Sequence, residues 1–297
     1  MPRLLLSSLV YAATCLQAAS VCFAAGALDT KDFADVAAAV DEAVTRYGAD
    51  KVALVCDIDN TLLAMRGDLG SDQWFEWQAY LLKHEPESKQ LVAKDFDGLL
   101  AAQGLLFTLG HMRPTQPDLP EKVAAIQAQG VRTLVLTSRG DEYRDATERE
   151  LLANGYDFRS TRLPIEDPPC GLYQPYDLDD IESSGLTAEE ARLFRLEEAR
   201  DASFGAGVMM TAGQHKGAML LSMLHKCPEK FEAVVFVDDH GRHVVRVYDA
   251  LARRGIDVTA FHYKREDANV KRFEYSDKAK VTRQWRQLDK TLGAVFN

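Results

Sequence analysis

The stretch Val52-Ala53-Leu54-Val55-Cys56-Asp57-Ile58-Asp59-Asn60-Thr61 decides the fold class. Its first half is a short apolar run rich in valine, the pattern of a strand buried on both faces of a parallel sheet. Its second half sets two carboxylates, one residue apart, where such a strand ends. Open α/β sheets hold their ligands beyond the carboxyl ends of the strands. One acid there can attack an electrophile and hold a divalent cation. The other can trade a proton with a leaving group and then with water. Asn60-Thr61 suits a tight turn whose backbone N–H groups face an anion. Taken alone the segment also fits a solvated turn after a strand, and the rest of the chain decides between the two.

Outward from this stretch, strand-like and helix-like patterns alternate, as in a parallel sheet with crossover helices. A helix over residues 36–47 precedes the first strand, which covers 51–56. Ser71, as N-cap, opens a helix over 71–84, and a second helix is expected over 89–105. A helix over 120–129 stops at Gly130, a strand covers 131–136, and a helix over 142–154 stops at Gly155. Residues 160–204 carry Pro164, Pro168, Pro169 and Pro175 and read as an insertion with one helical piece over 188–202. Then follow a strand at 207–211, a helix at 215–224, a strand at 233–237 and a helix at 244–254. A strand at 257–263 is expected to close the sheet, and a helix covers 278–292. The fold class expected is α/β: a three-layer Rossmann-like core with a parallel sheet and two mainly helical or irregular insertions, at about 63–119 and 160–204.

The 297 residues, 46% of them hydrophobic, are enough for a sizeable core. The net charge of −10, with no basic stretch to offset it, argues against a nucleic-acid backbone as partner. It leaves room for a phosphorylated small molecule, because a bound cation reverses the sign inside a cleft. Residues 1–27 have the layout of a signal peptide: Arg3, an uncharged run from Leu4 to Phe23, then small residues for cleavage. The protein is expected to be exported, to the periplasm or beyond, and no later apolar run is long enough to span a bilayer. Export permits a disulfide, with Cys170 and Cys227 the expected partners. Cys56, inside the first strand, reads as a small buried hydrophobe.

Further chemistry-bearing residues fall at later strand ends and helix starts. Thr137 and Ser138 end the second strand, where a hydroxyl and the following N–H can hold a phosphoryl oxygen; a turn-forming threonine is the plainer alternative. Arg139 fits either a contact to substrate phosphate or an ordinary surface position. Lys216 sits at a helix start, where a cation is electrostatically disfavoured, a local conflict expected where function overrides propensity. Asp238-Asp239 follow the apolar run Val234-Val235-Phe236-Val237. Adjacent acids at a strand end repel unless a cation offsets them, and with Asp57 they supply the hard oxygens that Mg2+ prefers. His240 and His243 flank the pair and read as packing or solvent-facing groups rather than ligands.

In this combination the chain resembles the haloacid dehalogenase (HAD) superfamily. The match rests on Asp57-x-Asp59-x-Thr61, Thr137, Lys216 and Asp238-Asp239, in that order, between about residues 51 and 263. The resemblance implies Mg2+ dependence and an aspartyl-phosphate intermediate. Asp57 would be nucleophile and metal ligand. Asp59 would be general acid/base and would reach the metal through its backbone carbonyl. Thr137, Ser138 and Lys216 would bind the phosphoryl group, and Asp238 and Asp239 would complete the metal site. The second aspartate, Asp59, favours phosphate esters over carbon–halogen bonds. Export together with Asp57-Ile58-Asp59-Asn60-Thr61 is similar to the secreted acid phosphatases of bacteria. The stretch from Gly70 to Gln78 and His262-Tyr263 look closer to an uncharacterised family of exported bacterial HAD-like proteins.

The expected function is therefore an exported Mg2+-dependent phosphatase acting on a phosphorylated small molecule, such as a nucleotide or aryl phosphate. A non-catalytic binding or effector protein on the same scaffold, and a phosphotransferase using the same intermediate, are the alternatives. Trp74, Phe75, Trp77 and Tyr80 crowd the first insertion. They suit either stacking on an aromatic substrate or anchoring the inserted helix to the core. Asp68 and Asp72 carry no assigned role.

Overall fold

The computed structural model describes residues 27–165 and 171–296. In chain order the elements are β1 (Ala27–Thr30), α1 (Phe33–Tyr47), β2 (Val52–Cys56), β3 (Leu63–Met65), α2 (Asp72–His84), α3 (Phe96–Leu109), β4 (Met112–Pro114) and α4 (Leu119–Ala128). Next come β5 (Arg132–Thr137), α5 (Arg144–Ala153), β6 (Leu172–Tyr173), α6 (Ala188–Leu193), β7 (Ala202–Gly205) and β8 (Val208–Met210). The chain closes with α7 (Lys216–His225), β9 (Ala233–Asp238), α8 (Gly241–Ala252), β10 (Asp257–Tyr263), α9 (Asp267–Tyr275) and α10 (Ala279–Phe296).

One mainly parallel eight-stranded sheet runs in the order β1-β10-β9-β2-β5-β8-β7-β6. The strand opened by Val52 lies in its middle, parallel to β9 on one side and β5 on the other. Every residue of β2 and β9 is buried, which is why both read as apolar runs up to the last residue of β9, Asp238. Phe33, Val36 and Val40 of α1, Leu119, Val123 and Ile126 of α4, and Leu151 of α5 cover one face. On the other, Ala218 to Leu221 of α7 and Val244, Val247 and Leu251 of α8 pack against Ala53, Val55, Val234 and Phe236. The result is the expected three-layer, Rossmann-like α/β arrangement.

Four features differ from the sequence expectation. The strand over 257–263 does not close the sheet: β1 pairs outside it, with Ala27 opposite Ala260. At four residues with only Thr30 buried, β1 carries little hydrophobic signal. Ala27 is the last residue of the expected export segment and the first of β1; residues 1–26 lie outside the described residues. The helix expected over 89–105 begins only at Phe96, after Asp95, whose carboxylate accepts from Gly98 N at 2.8 Å. Before it, the buried Gln78 amide donates to Gln90 O at 3.0 Å and accepts from Val92 N at 3.1 Å, which pins that stretch as irregular chain.

The helical piece expected over 188–202 stops at Leu193, and Arg195 takes a left-handed φ of 52°. The segment 160–204 also contributes β6 and β7, which extend the sheet antiparallel from β8. The expected Cys170–Cys227 pairing lies outside the described residues at Cys170; Cys227 and Cys56 are buried. Among the described residues no helix is long and apolar enough to cross a membrane.

The first inserted segment packs on the C-terminal helices. Trp74, Leu99 and Leu106 pack with Phe273 and Val281 of the two C-terminal helices. Trp74 is 1% exposed and tilts against Trp285, with ring centroids 6.4 Å apart, while Trp77 meets Phe273 edge-on at 6.0 Å. Both tryptophans therefore anchor α2. Ser71 Oγ accepts from Trp74 N at 3.3 Å, the N-cap read from the sequence.

Candidate active site

The carboxyl ends of β2, β5, β8 and β9 lie side by side and bring the sequence-marked residues together. Asp57 N donates to Val237 O at 2.9 Å, continuing the β2–β9 ladder one residue past the strand. Asn60 then takes a left-handed φ of 55°, and the N–H groups of Thr61 and Leu63 both return to Ile58 O, at 3.1 and 2.9 Å. This is the tight turn read from Asn60-Thr61. Thr61 Oγ1 accepts from Asp239 N at 3.0 Å, so the turn after β2 is stitched to the one after β9. His262 Nε2–H donates to Asp239 O at 2.8 Å and holds that second turn from β10.

Lys216 is the first residue of α7 and is fully buried. Its ammonium donates to Asp57 Oδ1 at 2.6 Å and to Asp238 Oδ2 at 2.7 Å. Gly217 allows this depth: a Cβ there would lie 2.4 Å from Arg246 O, so α7 reaches the site only because it packs that closely on α8. The cation at a helix start is thus paired with two carboxylates. A lone charge so buried would carry a prohibitive desolvation cost.

The acids differ in their surroundings. Asp238 accepts from His240 N at 2.8 Å on one oxygen, and from Lys216 and His243 Nδ1 on the other. Burial opposes its charge, but Lys216 and His243 outweigh that and hold the carboxyl well below the usual range. Burial pushes Asp57 up to about 7, against the pull of Lys216 and helped by the charges of Asp238 and Asp59. Asp239 is raised well above the usual carboxylate range by burial, with Asp72, Asp238 and Asp57 adding to the effect against His240. Asp239 Oδ1 is buried with no hydrogen-bond partner among the described residues. Burial works against the Lys216 ammonium, yet its two carboxylates hold it above the ordinary lysine value.

Asp57, Asp238 and Asp239 can each bring one oxygen within 4.8 Å of the others. Three hard oxygens are of the kind that Mg2+ takes, and Asp239 also carries the unpartnered Oδ1. An orphaned buried carboxylate oxygen is costly unless something outside the chain satisfies it.

The phosphoryl-binding candidates sit beside these acids in the sheet. Thr137 ends β5, is buried, and its Oγ1 accepts from Arg139 N at 3.2 Å. Its carbonyl accepts from Thr211 N and Oγ1, at 3.0 and 2.8 Å, which fixes the β5 end against the β8 end. Ser138 is half-buried, and its carbonyl is held by Gly213 N at 2.9 Å.

Three residues have positions that the sequence did not reveal. Arg139 is no surface side chain: it is 6% exposed and donates from Nε and Nη2 to both oxygens of Asp59, at 2.9 and 2.8 Å. Asp72 and Glu76, one turn apart on α2, reach His240 Nε2 at 3.3 and 3.7 Å. Burial opposes the charge of His240, but Asp72, Asp239 and Glu76 draw it up to about 10, and these contacts tie α2 to the site. Burial pushes His243 down to about 4 in spite of Asp238; it is neutral, accepting from Arg242 Nε at 3.3 Å and donating through Nδ1. An acid pair spaced i,i+4 is the one sequence signal that could have flagged Asp72 and Glu76.

Residues 29–295 match the model of the family described as a protein of unknown function, DUF2608. The chain belongs to that family. The DUF2608 match takes in the whole site, from Asp57 to His262, and both inserted segments. No curated protein and no solved structure matches the chain.

Proposed function

We propose that this DUF2608 protein is an exported, Mg2+-dependent phosphomonoesterase of the HAD type. The observation that carries the reading is the buried Lys216 ammonium shared by Asp57 and Asp238 at two neighbouring strand ends. A plain ion pair seldom justifies burying three ionisable groups, since an apolar substitute is often at least as stable. A nucleophile, a metal ligand and a cation aimed at one point are what phosphoryl transfer needs.

Asp57, Asp238 and Asp239 would hold Mg2+, with the Asp59 carbonyl as the resemblance implies. When bound, the cation would offset the charge of the acids and of the phosphoryl group. Lys216 donates to the two carboxylates, and its third N–H would serve a phosphoryl oxygen. Thr137 and Ser138 would supply further donors. An Asp57 oxygen attacks phosphorus while the bond to the leaving oxygen breaks, and that oxygen takes the electron pair and a proton from Asp59. Asp59 then takes a proton from water as the water oxygen attacks the aspartyl phosphate, which returns the Asp57 carboxylate and releases inorganic phosphate. The substrate is a phosphorylated small molecule, with a nucleotide or aryl phosphate as the class to screen. Its binding needs no membrane and no nucleic-acid backbone.

The test is hydrolysis of an aryl phosphate in Mg2+ and in EDTA, for the wild type and for folded Asp57→Asn. Turnover that needs Mg2+ and vanishes in the variant supports the reading; turnover retained by Asp57→Asn removes it.

A further inference from the structure

Resting on this phosphatase reading, we propose that Arg139 is a positioning residue: through it the first inserted segment fixes where the Asp59 carboxylate stands.

Arg139 Nε and Nη2 meet Asp59 Oδ2 and Oδ1 at 2.9 and 2.8 Å, a bidentate fork. The guanidinium itself is seated on three sides. Its Cζ lies 3.8 Å from the centroid of the Phe107 ring. Nη1 donates to Thr147 Oγ1 at 2.8 Å, and Nη2 also approaches Met112 Sδ at 3.4 Å. Phe107 and Met112 belong to the inserted segment, on α3 and β4, whereas Thr147 lies on α5 in the core. The Phe107 ring is fixed in turn by Tyr143, edge-on at 5.4 Å.

Three of the five guanidinium N–H groups are spent on Asp59 and Thr147, so little remains for a substrate phosphate. The fork uses one lone pair on each Asp59 oxygen and leaves the second free to carry the proton that passes to the leaving group and is taken back from water. An unclamped carboxylate would meet the leaving oxygen in a fraction of its rotamers; the clamped one meets it in a single orientation. Lysine cannot reproduce the fork.

The test compares kcat and KM for nitrophenyl, phenyl and methoxyphenyl phosphate in the wild type, Arg139→Lys, Arg139→Met and Thr147→Val, each with Mg2+ and with its fold checked by circular dichroism. A leaving group that departs unaided needs little from Asp59; a poor one needs the proton delivered. The expected result is a loss in kcat/KM of about 10²-fold on the methoxyphenyl ester and little on the nitrophenyl ester. This ratio reports only the step in which the leaving group departs. On the nitrophenyl ester kcat also falls, because Asp59 must still take the proton from water. Arg139→Lys should resemble Arg139→Met. Thr147→Val, which loosens only the seat, should give a smaller loss in the same order and carries the test if Arg139→Met does not fold. An equal loss of kcat/KM on all three esters overturns the assignment while leaving the phosphatase reading in place. Wild type inert toward all three esters overturns both.

Discussion

Lys216 Nζ lies 2.6 Å from Asp57 Oδ1, a buried cation bonded to the residue proposed as nucleophile. The same ammonium holds Asp238, so removing it strands two carboxylates in the interior. Lys216→Met should therefore cost about 3–5 kcal/mol, the usual result of breaking a buried pair from one side. Urea unfolding in EDTA would measure it. Mg2+ should restore part of the loss, because a divalent cation can take over the neutralising charge; a loss unaffected by Mg2+ would count against a cation site at these acids.

Asp239 gives the cleaner probe of that site. Its Oδ1 is buried without a partner, and the carboxyl is driven upward by burial and neighbouring acids. Asp239→Asn removes that repulsion and should raise the melting temperature in EDTA. The wild type should gain about 2.7 kcal/mol with Mg2+ at a hundred times its dissociation constant, and the variant far less. At roughly 2–4 °C per kcal/mol, the gain is easily read by calorimetry. An equal Mg2+ shift in both proteins would place the cation elsewhere.

The pH dependence has a definite sign. Asp57 is raised from 3.8 to about 7, chiefly by burial, so its neutral form suits the metal-free fold better than its charged form. The stability that this carboxyl contributes is complete below about 4 and is lost as pH rises through about 7. Asp57→Asn stays neutral throughout. In EDTA, its melting temperature minus that of the wild type should grow between pH 4 and 7. A difference that shrinks over that window would show that Asp57 is better off charged in the fold.

Helix α2 should prove to be held by packing. Trp74, buried against Trp285, should cost about 3–5 kcal/mol when replaced by alanine. If Trp74 instead met substrate, Trp74→Ala would leave chemical denaturation unchanged and raise KM.

The strand ends were legible because a buried parallel strand must be apolar throughout, which makes a following acid conspicuous: Val52–Cys56 before Asp57, Ala233–Val237 before Asp238. Lys216 was legible as a conflict, a cation at a helix start. Arg139 was not, because its partners Asp59, Phe107 and Thr147 come from three separate segments, and only the fold brings them within 3.8 Å or less of its guanidinium. Strand β1 was hidden by length, with four residues and one buried. The late start of α3 was hidden by Gln78, a side chain distant in sequence that binds the backbone of residues 90 and 92. In each case a long-range contact overrode what local propensity alone would give.

The most direct measurement is rapid quenching of the wild type with a phosphorus-labelled aryl phosphate and Mg2+, followed by mapping of any labelled peptide. Transient label on the peptide carrying Asp57, absent in EDTA and in Asp57→Asn, is the expected result. Mg2+-dependent turnover with no label on Asp57 at any time, or label on Asp59, Asp238 or Asp239, would contradict Asp57 as the nucleophile.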